Sequence, residues 1–144
     1  MAPAASLSYA GDISAADAWE CLKSDPRAQL IDVRTMAEWN FVGVPDLSAL
    51  GRQTLCIEWQ QFPGGGRNPD FVGEASQALA DKAAPVLLLC RSGARSRAAA
   101  IALTAAGFAK AINIGDGFEG DADEEGHRGN RNGWKAANLP WRQG

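Results

Sequence analysis

The fold is decided by the stretch from Pro85 to Ala100, which runs Pro85-Val86-Leu87-Leu88-Leu89-Cys90-Arg91-Ser92-Gly93-Ala94-Arg95-Ser96-Arg97-Ala98-Ala99-Ala100. The unbroken apolar run after Pro85 predicts a short strand that is buried on both faces, and the Ala-rich run after Ser96 predicts a helix. Cys90 then lies at the carboxyl end of a strand and just before the amino end of a helix. In an open α/β sheet this crevice binds ligands, because free backbone N–H groups and the positive end of the helix dipole meet there.

The loop after this strand is rich in cations and in small residues. Its arginines stand at positions 91, 95 and 97, its hydroxyl groups at positions 92 and 96, and Gly93 permits unusual backbone angles. These surroundings favour the thiolate form of Cys90, which is the nucleophilic form of a cysteine. The pattern predicts a nucleophile in an anion-binding loop. The alternative is an inert core cysteine before an ordinary helix.

A second strand is predicted over residues 29–34, and it ends in the charged sequence Asp32-Val33-Arg34. Polar residues at the carboxyl end of a strand can reach the same crevice as Cys90. We favour a structural ion pair between Asp32 and Arg34 that holds the loop, because a cysteine thiolate needs neither residue as an acid or a base.

These two segments carry a family resemblance. The run Cys90-Arg91-Ser92-Gly93-Ala94-Arg95-Ser96 resembles the active-site loop of rhodanese-type sulfurtransferases, and Asp32-Val33-Arg34 resembles their upstream signature. The resemblance implies one rhodanese-like domain over residues 1–144, with the tail 121–144 packed on the body. It also implies a Cys90 persulfide, cradled by the backbone amides of the loop. Residues 1–6 are expected from the sequence to be disordered. The chain departs from the family at Phe41-Val42-Gly43-Val44, where many members carry a Gly-His-Ile type segment.

The remaining segments complete an α/β pattern. Helices are predicted over 14–23, 35–40, 70–81 and 96–106, and further strands over 7–10, 54–59, 86–90 and 111–114. Strands that alternate with helices imply an about five-stranded, mostly parallel sheet with helices on both faces. Trp39, Phe41, Cys21 and Cys56 are expected to be core residues. Two interpretations stay open for the aromatic residues that follow Cys56: Trp59 and Phe62 wall the pocket, or Trp59 packs in the core.

Composition excludes several classes of protein. The chain has 144 residues, 46% of them hydrophobic, and a net charge of −3, which fits one domain with a full core and argues against a general nucleic-acid binder. Three cysteines without a paired motif and a single histidine predict neither disulfides nor a zinc site. The amino-terminal residues lack the features of a signal peptide and no stretch is long enough to span a membrane, so a cytoplasmic location is expected.

The sequence therefore predicts a sulfurtransferase without a cofactor or a metal. Its partners would be a small anionic sulfur donor such as thiosulfate and a thiol or cyanide acceptor, with a protein acceptor as a further candidate. One alternative is a phosphatase or arsenate reductase, although related oxyanion-binding loops carry an arginine where this chain has Ser96. The other is a non-catalytic anion-sensing or docking module that uses the acidic and then basic segment 121–135.

Overall fold

The computed structural model describes residues 8–60 and 66–143, so the predictions for residues 1–6 and Phe62 lie outside the described residues. The elements in chain order are β1 (Asp12–Ile13), α1 (Ala15–Ser24), β2 (Gln29–Asp32), α2 (Met36–Phe41), β3 (Val44–Pro45), a 3-10 turn (Ser48–Leu50), β4 (Leu55–Cys56), α3 (Phe71–Ala78), β5 (Pro85–Leu89), α4 (Ala94–Ala105), β6 (Lys110–Ile114) and β7 (Trp141–Arg142).

Five of the strands form one parallel sheet in the order β1-β6-β5-β2-β4. All five residues of β5 are buried, as expected for an apolar strand at the centre of a parallel sheet. Helices α3 and α4 pack on one face through residues such as Phe71 and Leu103, whereas α1 packs on the other through Ala18 and Leu22. The predicted fold class is confirmed. Strands β3 and β7 form a separate antiparallel pair.

The carboxyl ends of β2 and β5 meet at one edge of the sheet. Asp32 of β2 is in register with Leu89 of β5, and the Val33 N–H donates to the Leu89 carbonyl at 2.8 Å. The chain therefore leaves both strands side by side, which brings the Asp32-Val33-Arg34 segment next to Cys90.

Helix α4 begins at Ala94 rather than at Ser96. Gly93 has φ 109°, a left-handed conformation that favours glycine, and its carbonyl accepts the Arg97 N–H at 3.2 Å. The backbone turns into the helix at Gly93. Arg95 therefore lies in the first helical turn, whereas the sequence predicted it in the loop.

Several other predictions need correction. Of the strand predicted over residues 7–10, residue 7 lies outside the described residues and residues 8–10 form no strand. The first strand is Asp12–Ile13, which pairs with β6. The strand predicted over 54–59 keeps only Leu55–Cys56, which leaves Cys56 exposed on the edge strand rather than buried. Asp70 precedes α3 but makes no side-chain cap hydrogen bond, and α3 ends at Ala78.

Helix α2 begins as predicted but packs differently. The Thr35 hydroxyl accepts the Glu38 N–H and the Glu38 carboxylate accepts the Thr35 N–H, so the capping box is present. No residue of α2 is buried, and Phe41 is 78% exposed although it was expected in the core. The helix is too short to present a wide apolar face, and its Glu38 side chain reaches toward α4 instead.

Of the two tryptophans in the described part of the tail, residues 121–143, Trp134 packs in the core and Trp141 is 39% exposed. Trp134 is completely buried in the same cluster as α1, and its backbone N–H donates to the Gly117 carbonyl at 2.8 Å. Its indole N–H donates to the Pro140 carbonyl at 2.7 Å. Within residues 8–60 and 66–143, none of the helices has the length and apolar character needed to cross a membrane.

Candidate active site

Cys90 follows β5 directly and is almost completely buried, with 1% of its surface exposed. Its Sγ accepts the backbone N–H of Gly93 at 3.1 Å and lies 3.2 Å from the hydroxyl of Ser96. Both partners come from the start of α4, whose first N–H groups lack partners within the helix. The sulfur therefore lies at the positive end of the helix dipole, as the sequence predicted for this position.

The backbone carbonyls of the Cys90 loop accept hydrogen bonds from residues outside the loop. The Phe118 N–H donates to the Cys90 carbonyl at 2.8 Å, and the Glu119 and Gly120 N–H groups both donate to the Arg91 carbonyl at 3.1 Å. A trans peptide points its carbonyl and the following N–H in opposite directions, so the N–H groups that follow these carbonyls face away from residues 118–120. This arrangement turns backbone donors toward the inside of the loop.

A glycine permits the close contact between the loop and the segment after β6. A Cβ atom on Gly117 would lie 2.4 Å from the Arg91 carbonyl oxygen and 2.7 Å from the Ser92 nitrogen. Gly117 also has φ 68°, in the left-handed region. Any other residue at this position would push the Cys90 loop away from its support.

The arginines of the loop have different surroundings. Arg91 and Arg97 are exposed, whereas the Arg95 guanidinium forms two hydrogen bonds with the Glu38 carboxylate, at 2.6 and 3.0 Å. Hydrogen bonding to Glu38 raises the pKa of Arg95. Its charge is therefore already matched by a carboxylate, which sequence reasoning did not anticipate.

Glu38 reaches this pair from the capping box of α2. Burial alone would raise the pKa of Glu38, but the hydrogen bonds and charge of Arg95, with the Thr35 N–H and the charge of Arg34, outweigh burial and lower it. A carboxylate with a lowered pKa stabilises the fold above its unfolded-state pKa, and this contribution is lost as the pH falls through the folded-state pKa.

This linkage gives a prediction for stability. We expect Glu38→Gln to lower the free energy of unfolding by about 1 kcal/mol at neutral pH, and the difference from the wild type to shrink below about pH 4. Urea unfolding at several pH values measures it. Glu20→Gln is the matched control, since Glu20 pairs with Lys23 on the exposed surface of α1 and should change little. A Glu38→Gln deficit that persists undiminished in acid would contradict the ion-pair explanation.

Asp32 and Arg34 form a buried ion pair beneath the loop. The Arg34 Nε and Nη2 atoms donate to the two Asp32 carboxylate oxygens at 2.9 and 2.6 Å, and both side chains are completely buried. Nη2 also donates to the Gly43 carbonyl at 2.6 Å, and the guanidinium stacks on the ring of Phe118 at 4.2 Å. Since the Phe118 N–H holds the Cys90 carbonyl, the pair is linked to the loop through one residue.

Trp59 was predicted either to wall the pocket or to pack in the core. It is 9% exposed, packs edge to face on Phe71 with ring centroids 5.2 Å apart, and belongs to the core cluster that contains Cys90. The Arg67 guanidinium covers its ring at 4.5 Å. Trp59 is therefore a core residue whose remaining face is occupied by a cation.

The other two thiols lie apart from the loop. Desolvation around the Cys56 thiol, with the Asp32 carboxylate nearby, raises its pKa to about 11, even though the residue lies on an exposed edge strand. Burial, followed by the charge of Asp25, also raises the pKa of Cys21 in α1. Both thiols are protonated at neutral pH and are poor nucleophiles.

One further residue of the site, Asn113, was not predicted. Asn113 of β6 is completely buried, and its side chain contacts Ser96, Gly93 and Asp12. A signal was present in the sequence, because an amide within the apolar strand Ala111-Ile112-Asn113-Ile114 needs hydrogen-bond partners when it is buried.

Among the described residues, no group of three or more His, Cys, Asp or Glu side chains is placed to hold a metal ion.

Comparison with solved structures defines the class of the domain. The crystal structure of Rv0390 from M. tuberculosis matches with a TM-score of 0.87 and 53% identity, over 94% of this chain and 99% of that chain. The solution structure of the polysulfide-sulfur transferase homodimer from Wolinella succinogenes matches with a TM-score of 0.58 and 21% identity, over 92% and 78% of the two chains. At this identity the second match shows the fold alone. The chain has a rhodanese-like fold.

The family follows from the sequence. The chain belongs to the STR4 middle domain family, whose model matches residues 10–144. An uncharacterized protein of Rickettsia rickettsii is 38% identical over 90% of this chain and 95% of its own length. The chloroplastic rhodanese-like domain-containing protein 4 of Arabidopsis thaliana is 30% identical over 89% of this chain, which corresponds to 25% of that protein.

Proposed function

We propose that the protein is a sulfurtransferase that carries a sulfane sulfur as a persulfide on Cys90. The observation that carries the proposal is the placement of Sγ at the start of α4, where it accepts the Gly93 N–H at 3.1 Å. The outer sulfur of a persulfide is negatively charged, and the free N–H groups of the first helical turn can stabilise that charge. The rhodanese-like name of the Arabidopsis relative supports the same class of chemistry.

The reaction has two steps that balance. In the first step the Cys90 thiolate attacks the outer sulfur of thiosulfate, the S–S bond of the donor breaks, and sulfite leaves with the electron pair. In the second step a thiolate or cyanide attacks the outer sulfur of the persulfide, and the Cys90 thiolate leaves. The thiol proton goes to water before the first step. Both steps are displacements at sulfur that balance in electrons, so neither consumes an external oxidant or reductant.

The donor is proposed to enter past Arg91. Arg91 is exposed at the loop, whereas the Arg95 guanidinium is held by Glu38 and faces a carboxylate rather than an open site. Arg95 then acts on the anion mainly through its backbone N–H in the first turn of α4. The proposed acceptors are small thiols, cyanide or a protein thiol. The three free thiols fit a reducing compartment such as the cytoplasm.

Intact-protein mass spectrometry tests the proposal. After incubation with thiosulfate and desalting, we expect a mass gain of one sulfur atom, located by peptide mapping on Cys90. Cyanide should remove the added sulfur and release thiocyanate in equal amount. Absence of any mass gain with thiosulfate and with polysulfide would refute the sulfurtransferase assignment.

The same protein should show no oxyanion chemistry. The relatives that bind phosphate or arsenate carry an arginine where this chain has Ser96, a residue whose side chain is buried against Cys90. We therefore expect hydrolysis of an aryl phosphate to be no faster than with Cys90→Ser. Cys90-dependent hydrolysis would favour the phosphatase alternative instead.

The docking alternative has weaker support. Within the segment 121–135, the Asp123 carboxylate accepts the N–H groups of Glu125 and His127 and the side-chain amide of Asn130. These hydrogen bonds lower the pKa of Asp123, with the His127 N–H as the largest cause. The acidic run therefore already has internal hydrogen-bond partners.

A further inference from the structure

A buried network of hydrogen-bonded polar side chains leads away from Cys90. Ser96 and Asn113 are both completely buried. The Ser96 Oγ lies 3.2 Å from Cys90 Sγ and 2.5 Å from Asn113 Oδ1. The Asn113 Nδ2 lies 2.9 Å from an Asp12 carboxylate oxygen and 3.2 Å from the Gly93 carbonyl oxygen.

The orientation of the Asn113 amide follows from its neighbours. Asp12 and Gly93 both offer oxygen acceptors, so the NH2 group must face them, and it has one proton for each. The reverse orientation would place the amide oxygen against a carboxylate and a carbonyl, with no proton in either contact. The Asn113 oxygen therefore faces Ser96.

The Ser96 hydroxyl has a single proton. The Asn113 oxygen carries no proton, so the hydroxyl proton has to lie between the two oxygens, because two lone pairs facing each other within hydrogen-bond distance would repel. Ser96 consequently presents a lone pair to Cys90. It is an acceptor for the S–H proton of the thiol and is not a donor to the thiolate.

We propose that Asn113 is a positioning residue that keeps the Ser96 hydroxyl turned away from Cys90. To donate to a Cys90 thiolate, Ser96 must first break its hydrogen bond with Asn113. The proposal rests on the proposed function in one respect: in the persulfide, Sγ is bonded to the outer sulfur and is uncharged, so it needs no proton from Ser96. Asn113 thus favours the protonated and the sulfur-loaded forms of the enzyme over the empty thiolate.

Charged groups surround this network on several elements. Asp12 belongs to β1, Arg95 to α4, and the Asp32–Arg34 pair to β2 and the turn that follows it. Arg91 stands on the loop itself. The variants below change none of these residues, but Asn113→Leu also removes the amide donor to Asp12 and to the Gly93 carbonyl. The effect of Ser96→Ala within one background is therefore the quantity that reports on the Ser96 proton.

The first test measures alkylation of Cys90 by iodoacetamide, quantified by peptide mass spectrometry. The rate in mildly acidic buffer is divided by the rate in alkaline buffer, where the thiolate dominates and the rate reports access alone. We expect Ser96→Ala to increase this ratio, because the variant removes the acceptor of the S–H proton. A decrease of about tenfold would show that Ser96 donates to the thiolate, and it would overturn the proposal.

The second test releases the Ser96 proton. Asn113→Leu keeps the approximate size of the side chain but removes the acceptor, so the freed hydroxyl can donate to the thiolate. We expect the ratio to rise about tenfold, and Ser96→Ala in the Asn113→Leu background to lower it again. Equal effects of Ser96→Ala in both backgrounds would overturn the proposal. If Asn113→Leu does not fold, as judged by circular dichroism, the sign of the single Ser96→Ala effect decides alone.

A third measurement addresses the loaded form. At a fixed ratio of thiosulfate to sulfite, which drives the first step forward and backward, the loaded fraction should be smaller in Asn113→Leu than in the wild type. An equal or larger fraction would contradict the preference for the loaded form. Alkylation needs no sulfur transfer, so a wild type that never gains sulfur would refute the proposed function while leaving the test of the Ser96 proton intact.

Discussion

Replacement of Cys90 by serine is expected to abolish sulfur transfer from thiosulfate to cyanide, with a loss of at least about a thousandfold in kcat/KM. The loss follows because a hydroxyl at the start of α4 stays protonated at neutral pH and cannot form a persulfide. Thiocyanate release measures the activity. Serine should occupy the same space as the cysteine, so the variant should unfold at nearly the same urea concentration as the wild type.

The chain contains its own controls for this experiment. Cys21→Ser and Cys56→Ser should keep nearly full activity, since both thiols have raised pKa values and lie outside the loop. Cys56 is the sharper control because it is exposed at the end of β4, beside the strand that carries Asp32. Loss of activity in a folded Cys56→Ser variant, equal to the loss in Cys90→Ser, would show that the nucleophile is misassigned.

Replacement of Arg34 by methionine should lower the free energy of unfolding by about 3–5 kcal/mol. Methionine has a similar length, but it leaves the Asp32 carboxylate buried without a counter-ion and removes the guanidinium from the ring of Phe118. Urea unfolding measures the loss. The variant should also be less active than its folded fraction predicts, because Phe118 donates to the Cys90 carbonyl.

Arg27→Met is the matched control for the buried pair. Arg27 pairs with Asp25 and Asp81, but its side chain is 55% exposed, so the same substitution should cost less than about 1 kcal/mol. A similar, small loss in Arg34→Met would mean that water reaches Asp32 and that the pair does not hold the loop.

Local patterns in the sequence predicted much of the fold. The apolar run of β5 identified the central strand, and Thr35 with Glu38 identified the start of α2, because both signals depend on neighbouring residues alone. Strand β1 was misplaced because two residues carry no periodicity, and their pairing with β6 joins positions about a hundred residues apart. The exposure of Phe41 likewise depends on how α2 packs, which no local pattern encodes.

In the candidate site too, features that depend on neighbouring residues were predicted and contacts between distant residues were missed. The loop motif located Cys90, and the two opposite charges at the end of the second strand indicated the Asp32–Arg34 ion pair. The pairing of Arg95 with Glu38 was missed because the two residues stand 57 positions apart and each also has a local explanation, as an anion-binding group and as a helix cap. The start of α4 was placed two residues late because Gly93-Ala94-Arg95 resembles a loop until the backbone conformation of Gly93 is known.

The hydrogen bonds that hold the Cys90 loop come from residues that are synthesised after the loop. The carbonyls of Cys90 and Arg91 are held by residues 118–120, and Gly117 is in turn held by Trp134. A ribosome makes these supporting residues after the loop, so a nascent chain that stops short of them cannot shape the loop. We expect the cysteine of an incomplete chain to lack this backbone support, and the proposed sulfur loading to begin only once translation has passed the supporting segment.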